Sequence, residues 1–195
     1  AAASSWFGPY GPLLPAEAAA GGVGLPSERP SKCLGIPYVR LLCAFGASVG
    51  LRRFYQQVFG VEAQLRGAPG SLECWVPIGA EQWLVYEEAA ENATVPYDGY
   101  HVAIYVNGFV DAYQRASELG LVWNNPRFPH LVYDTLEQAI NHSEFRVREL
   151  VDPESGAVVH TLEHEVRALS HPGFSCRSWL PGASDGRPTT PRDDL

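Results

Sequence analysis

Most of the chemistry open to this 195-residue chain rests on a few histidines and cysteines, and their spacing limits what they can do. His101 opens the β-type run Tyr100-His-Val-Ala-Ile-Tyr-Val106, and His160 and His164 fall in a later one, Ala157 to Val166. Two imidazoles can hold a divalent metal loosely, but a catalytic centre normally needs three protein ligands and an open position. His164 does not supply the third ligand. It shares a strand face with His160, yet four strand residues span about 13 Å, too far to reach one ion. Cys33, Cys43, Cys74 and Cys176 show no C-x-x-C spacing, so neither a zinc site nor a dithiol pair is indicated. Cys43 and Cys74 lie in strand patterns and read as small buried apolar residues. Cys33 and Cys176 can pair only if the two chain ends meet. The sequons at Asn92 and Asn141 are short enough to arise by chance.

The elements that must position these groups repeat. Val39-Arg-Leu-Leu-Cys-Ala-Phe45 precedes the helical pattern Ser48 to Phe59, with Leu51, Phe54, Tyr55 and Val58 on one face and Gly60 as the stop. Tyr100 to Val106 likewise precedes Phe109 to Leu119, with Phe109, Ala112, Tyr113 and Ala116 as the stripe and Gly120 as the stop. Ser48 and Asn107 are the candidate caps. After Gly60, the segments Val61 to Arg66, Leu72 to Ile78 and Gln82 to Glu87 read as three antiparallel strands divided by glycine turns. In the second copy an insertion intervenes between Asn124 and Glu144, where Asp134-Thr-Leu-Glu137 has capping-box spacing and starts a helix to about Ile140. Phe145 to Val151 and Ala157 to Val166 follow as strands around the turn Asp152-Pro-Glu-Ser-Gly156. The pattern predicts an α+β fold built from a strand-helix-strand-strand-strand unit used twice.

Composition narrows the classes. With 46% hydrophobic residues the chain can build one domain with a substantial core. Net charge is -8, and Lys32 is the single lysine among scattered arginines, which argues against a nucleic-acid surface. No apolar run approaches the roughly 18 residues of a membrane span.

Three segments together resemble the vicinal oxygen chelate superfamily of glyoxalases, bleomycin-resistance proteins and extradiol dioxygenases. They are Arg53-Phe-Tyr-Gln-Gln-Val-Phe-Gly60, His101-Val-Ala-Ile-Tyr-Val106 with its helix, and Asp152-Pro-Glu-Ser-Gly156 leading into Val159-His-Thr-Leu-Glu-His-Glu165. The resemblance covers roughly residues 37–172 and implies two βαβββ modules, 37–88 and 99–169, forming an open barrel. It also implies a divalent metal in a cleft between paired modules, with one ligand from the first and one from the last strand of each. The family's spacing puts the first ligand position at Arg40, or at Leu41 if the register slips. Neither can bind a metal, because a guanidinium stays protonated and offers only donors. The matching position in the second module is His101, and the last-strand position is His160, where a carboxylate is more usual. In the first module's last strand, Gln82, Leu84, Tyr86 and Glu88 share one face and Trp83, Val85 and Glu87 the other, and none is assigned. The resemblance therefore implies a degenerate site in which no metal or other cofactor is expected. Arg40, His101 and His160 remain as candidates for an anionic or hydrogen-bonding ligand.

The ends of the chain carry a separate expectation. Residues 1–36 are rich in Pro, Gly and Ala, yet Trp6, Phe7, Tyr10, Leu13 and Leu14 precede the first charge, Glu17, unlike a solvated tail. Residues 173–195 similarly set Phe174 and Trp179 among Ser, Gly and Pro. These are expected to be extended arms that fasten the domain to other protein subunits of a large complex. The sequence begins Ala-Ala-Ala-Ser-Ser and contains no methionine, which fits removal of a targeting segment. Leu162-Glu-His-Glu-Val-Arg167 with His171-Pro172 resembles cyanobacterial and algal sequences, so the favoured setting is a chloroplast and its thylakoid photosynthetic complexes. Two functions follow as expectations: a non-catalytic accessory subunit, or a metal-dependent lyase or dioxygenase, or a metal-free binder, on the same fold.

Overall fold

The structure, a computed structural model, describes residues 36–68 and 70–174. Trp6, Phe7, Tyr10, Leu13, Leu14 and Trp179 lie outside the described residues, as do Cys33 and Cys176.

The first module runs β1 (Tyr38–Cys43), α1 (Ser48–Phe59), β2 (Gln64–Ala68), β3 (Ser71–Gly79) and β4 (Gln82–Glu88). Its four strands form one sheet in the order β1-β4-β3-β2, with β1 parallel to β4 and the other pairs antiparallel. Leu51, Phe54, Tyr55 and Val58 are buried, as the helical stripe predicts. Gly60 ends the helix at φ 68°, a left-handed conformation that costs glycine little. Ser48, however, is not the cap. It is the first helical residue, and its amide donates to Glu88 Oε1 at 3.0 Å. A carboxylate from the end of β4 thus supplies both the missing acceptor and a charge that suits the helix dipole.

The second module runs β5 (His101–Val106), α2 (Phe109–Glu118), α3 (Leu136–His142), β6 (Glu144–Val151) and β7 (Val158–Ala168). Its sheet has the order β5-β7-β6, with β5 parallel to β7. The strand expected next after α2 is reduced to one bridge, Val122 with Val147, because the insertion carrying α3 takes its place. The cap of α2 is Gly108 rather than Asn107, and among the described residues no side-chain cap bond is made there. The capping box of α3 sits one residue later than its spacing predicts: Thr135 and Gln138 exchange the two bonds.

No ladder bonds join the two sheets; α1 is the element they share. Its buried face packs on β3 and β4, while Phe54 and Tyr55 also meet His164 of β7. Arg53 makes a bidentate pair with Asp152, at 2.8 and 2.6 Å, in the turn between β6 and β7. That pairing, together with the bonds from Ser155 and the Glu154 amide, holds the Asp152 carboxyl well below the usual carboxylate range. Gly50 lets the backbones approach: a Cβ there would come within 2.8 Å of Val159 and 3.0 Å of Asp152. On the other side Arg115 of α2 donates to the Val58 carbonyl at 2.9 Å. Phe54, Tyr55, Tyr113 and Leu162 are buried in the core, while Val102 and Ile104 of β5 are half-buried. Among the described residues no helix is long and apolar enough to cross a membrane.

Candidate functional site

Because side chains alternate along a strand, each sheet has one face turned to the helices and one turned away. In the first sheet Cys43, Cys74, Leu84 and Tyr86 face the helices. The opposite face carries Arg40, Glu73, Trp75, Trp83 and Glu87. Glu73 and Glu87 are direct cross-strand neighbours, a placement that like charges disfavour. Arg40 resolves it by donating to both, 2.8 Å to Glu87 Oε2 and in close contact with Glu73. The hydrogen bond that Arg40 donates to Glu87, with the one it donates to Glu73, raises the guanidinium's pKa further. Trp75 donates its indole N–H to Glu73 at 2.6 Å, and the Arg66 guanidinium stacks 4.1 Å over the Trp75 ring. Arg40 is thus an internal counter-ion to two acids.

In the second sheet the face away from the helices holds His101, Glu163, Glu165, Arg167, Glu144 and Arg146. His101 is exposed, with Nε2 4.0 Å from Glu165 Oε2. Arg146 is buried among Glu144 at 3.0 Å, Glu165 at 3.5 Å and Glu163 in close contact. Arg167 pairs with Glu165 and reaches the Tyr105 hydroxyl at 3.1 Å. Tyr133 donates to Glu144 at 2.6 Å, and Asn125 to Glu163 at 3.0 Å. Burial, and then the contact with Glu165, raise the Glu144 pKa. Burial works in the same direction on Glu165, but its bonds from Glu144 and Arg167 outweigh it and lower that group.

His160 does not join His101. Alternation along β7 puts His160 with Leu162, His164 and Val166 on the helix side, opposite core Leu150, whereas His101 pairs with Glu163 on the other face. Its ring meets Tyr86 edge-on at 5.1 Å, and among the described residues its Nε2 has no hydrogen-bond partner. It borders a cavity of about 190 Å³ with Tyr97 and Tyr100. Burial pushes its pKa down to about 4, so the imidazole is neutral near pH 7. His164, deeper on the same side, has its tautomer set by its neighbours. Nδ1–H donates to the Leu162 carbonyl at 2.9 Å, which leaves Nε2 to accept from the Tyr55 hydroxyl at 2.6 Å, and Tyr86 donates in turn to Tyr55. The acids that stand beside His101 are Glu163, its register partner, and Glu165.

Arg40, His101 and His160 therefore do not converge: the first two lie on the outward faces of separate sheets and the third on the helix side of the second sheet. Phe174, expected to bind a partner, packs on Tyr105 of its own domain at 5.0 Å between ring centroids. Among the described residues no three His, Cys, Asp or Glu side chains are grouped to hold a metal ion. The donors nearest the expected positions are already taken, Glu73 and Glu87 by Arg40, and Glu163 and Glu165 by Arg146 and Arg167. They do not fit a resident divalent ion. The sequence did carry a signal for the acid–base network: Glu144-x-Arg146 and Glu163-x-Glu165-x-Arg167 put charges at alternate positions of otherwise apolar strands.

No family model matches the sequence, and no curated protein matches it. Similar solved structures include glyoxalases and fosfomycin-resistance proteins. A structure described as a glyoxalase family protein from Bacillus anthracis is 19% identical with a TM-score of 0.45, covering 71% of this chain and 99% of that one. The fosfomycin resistance protein FosX from Listeria monocytogenes, crystallised with Mn(II) and sulfate, is 14% identical with a TM-score of 0.44, covering 70% and 93%. Lactoylglutathione lyase from Agrobacterium tumefaciens is 18% identical with a TM-score of 0.42, covering 71% and 96%. This chain is similar to glyoxalase and fosfomycin-resistance structures. The α+β assignment, with paired strand-helix-strand modules, stands on the strand pairing described above.

Proposed function

We propose that this chain is a glyoxalase-fold protein without metal chemistry that serves as a non-catalytic accessory subunit of a larger assembly, fastened through its terminal segments. One observation carries the reading: Arg40, which the resemblance puts at the first-strand ligand position, donates to both Glu73 and Glu87. A guanidinium supplies fixed positive charge with no open coordination position, so it stabilises the sheet and performs no Lewis-acid chemistry. The aromatic residues of segment 1–36 and Trp179 supply the kind of anchors that dominate protein interfaces. A plastid photosynthetic complex is the favoured assembly on the algal likeness of the C-terminal motif alone. A second reading, a metal-dependent lyase or dioxygenase or a metal-free binder, is favoured by one feature, the approach of His101 to Glu165.

The test uses the full chain with Trp6, Phe7 and Tyr10 replaced by alanine and expressed in its native cell. The accessory reading requires that the wild-type chain migrates in a high-mass fraction and the variant as a free folded protein. Wild-type migration as a monomer overturns it.

A further inference from the structure

A cavity of about 210 Å³ lies beside Glu163 of β7, and two arginines border it, Arg127 from the turn after Trp123 and Arg148 from β6. The turn is pinned in place. The Phe128 amide donates to the Asn125 carbonyl and the Arg127 amide to Asn125 Oδ1, both at 2.9 Å, while Asn125 Nδ2 donates to Glu163 at 3.0 Å. The Arg127 side chain reaches Gly99, also in the lining, where a Cβ would lie 3.9 Å from Nη2. Among the described residues Arg127 makes no ion pair. Arg148 is little better matched: its guanidinium lies 4.8 Å over the Trp123 ring, and Nη2 reaches the exposed Glu149 at 3.3 Å. Its Nε is shielded from water and has no partner among the described residues. An exposed pair at such a distance contributes little, and a buried donor without an acceptor is destabilising until one reaches it. Both arginines also act on the Tyr97 hydroxyl, offsetting part of the pKa rise that burial and then Glu163 cause, so their fields overlap at the cavity.

We propose that this cavity binds a monocarboxylate carried on a single aromatic ring, with the carboxylate between the Arg127 and Arg148 guanidiniums and the ring against Tyr97 and Pro126. The guanidinium fork matches a carboxylate in shape and charge, and two forks at one cavity can take both oxygens. Glu163, the acid in the lining, is already matched by Arg146 and Asn125, yet its charge still disfavours a dianion such as phosphate. The volume equals that of about seven water molecules, which bounds the ligand to one substituted ring. The site uses neither Arg40 nor the terminal segments, so it stands independently of the accessory-subunit reading.

The experiment titrates the ¹⁵N-labelled full chain with benzoate and, separately, with benzamide and inorganic phosphate, following the backbone amides and the Trp123 indole N–H. The proposal requires saturable benzoate shifts centred on Gly99, Trp123 and Arg127, with benzamide and phosphate each weaker by about tenfold or more. Arg127→Gln and Arg148→Gln each remove one fork, so either variant that keeps a dispersed spectrum should weaken benzoate by about tenfold or more. Arg52→Gln removes an equal charge from the exposed side of α1 and should leave benzoate binding unchanged. Shifts that do not saturate, benzamide or phosphate binding as tightly as benzoate, undiminished binding in a folded Arg127 or Arg148 variant, or an equal loss in Arg52→Gln each overturn the assignment.

Discussion

The neutral imidazoles of His160 and His164 make acid a specific threat to this domain. Burial lowers both folded-state pKa values to about 4, against an unfolded value of about 6.5. A depressed histidine pKa favours the neutral form in the folded state. Its contribution to stability is therefore fully present above the unfolded value and is lost as pH falls from about 6.5 towards 4. The loss approaches about 3 kcal/mol for each group. Urea midpoints should fall steadily over that window, and His160→Phe should flatten part of the fall; a midpoint independent of pH would contradict the burial of both rings. Arg40 gives a prediction of the opposite kind. Arg40→Ala leaves Glu73 facing Glu87 without a counter-ion, and should cost about 1 kcal/mol at low salt. Added monovalent salt should recover part of that loss in melting temperature, since screening relieves repulsion between the remaining acids.

At the level of elements, α1 holds the two sheets together, and its residues are the sensitive ones. Phe54 is fully buried and touches Tyr55, Phe59 and His164, so Phe54→Ala should destabilise by about 3–5 kcal/mol in chemical denaturation. Gly50→Ala is more diagnostic. Helix propensity alone would gain about 1 kcal/mol. The added Cβ meets Val159 and Asp152, and overpacking of this kind costs about 1–3 kcal/mol. A net loss of stability supports the close approach of α1 to the second module, whereas a gain would place the helix elsewhere. The helices were legible because a stripe such as Leu51, Phe54, Tyr55 and Val58 followed by Gly60 reports on its own surroundings. Their caps were less so. Glu88 reaches the start of α1 from a strand 40 residues away, and no local spacing encodes that bond.

Across the whole molecule, the paired modules could be read from their order, but the site could not be assembled by counting. His160 falls on the core side because it alternates in step with Leu162, His164 and Val166, whereas His101 pairs with Glu163 on the other face, which leaves Glu163 and Glu165 as the neighbours of His101. The acid–arginine clusters depend on contacts between strands far apart in sequence, so alternation could mark their face but not their partners. What those partners do is the central claim: both outward faces neutralise their acids internally, with Arg40 on one and Arg146 and Arg167 on the other. Elemental analysis of the full chain, purified without chelator and then equilibrated with manganese, nickel, zinc or iron(II) before desalting, tests this directly. The account predicts no ion retained in stoichiometric amount, and one tightly held divalent ion per chain would contradict it.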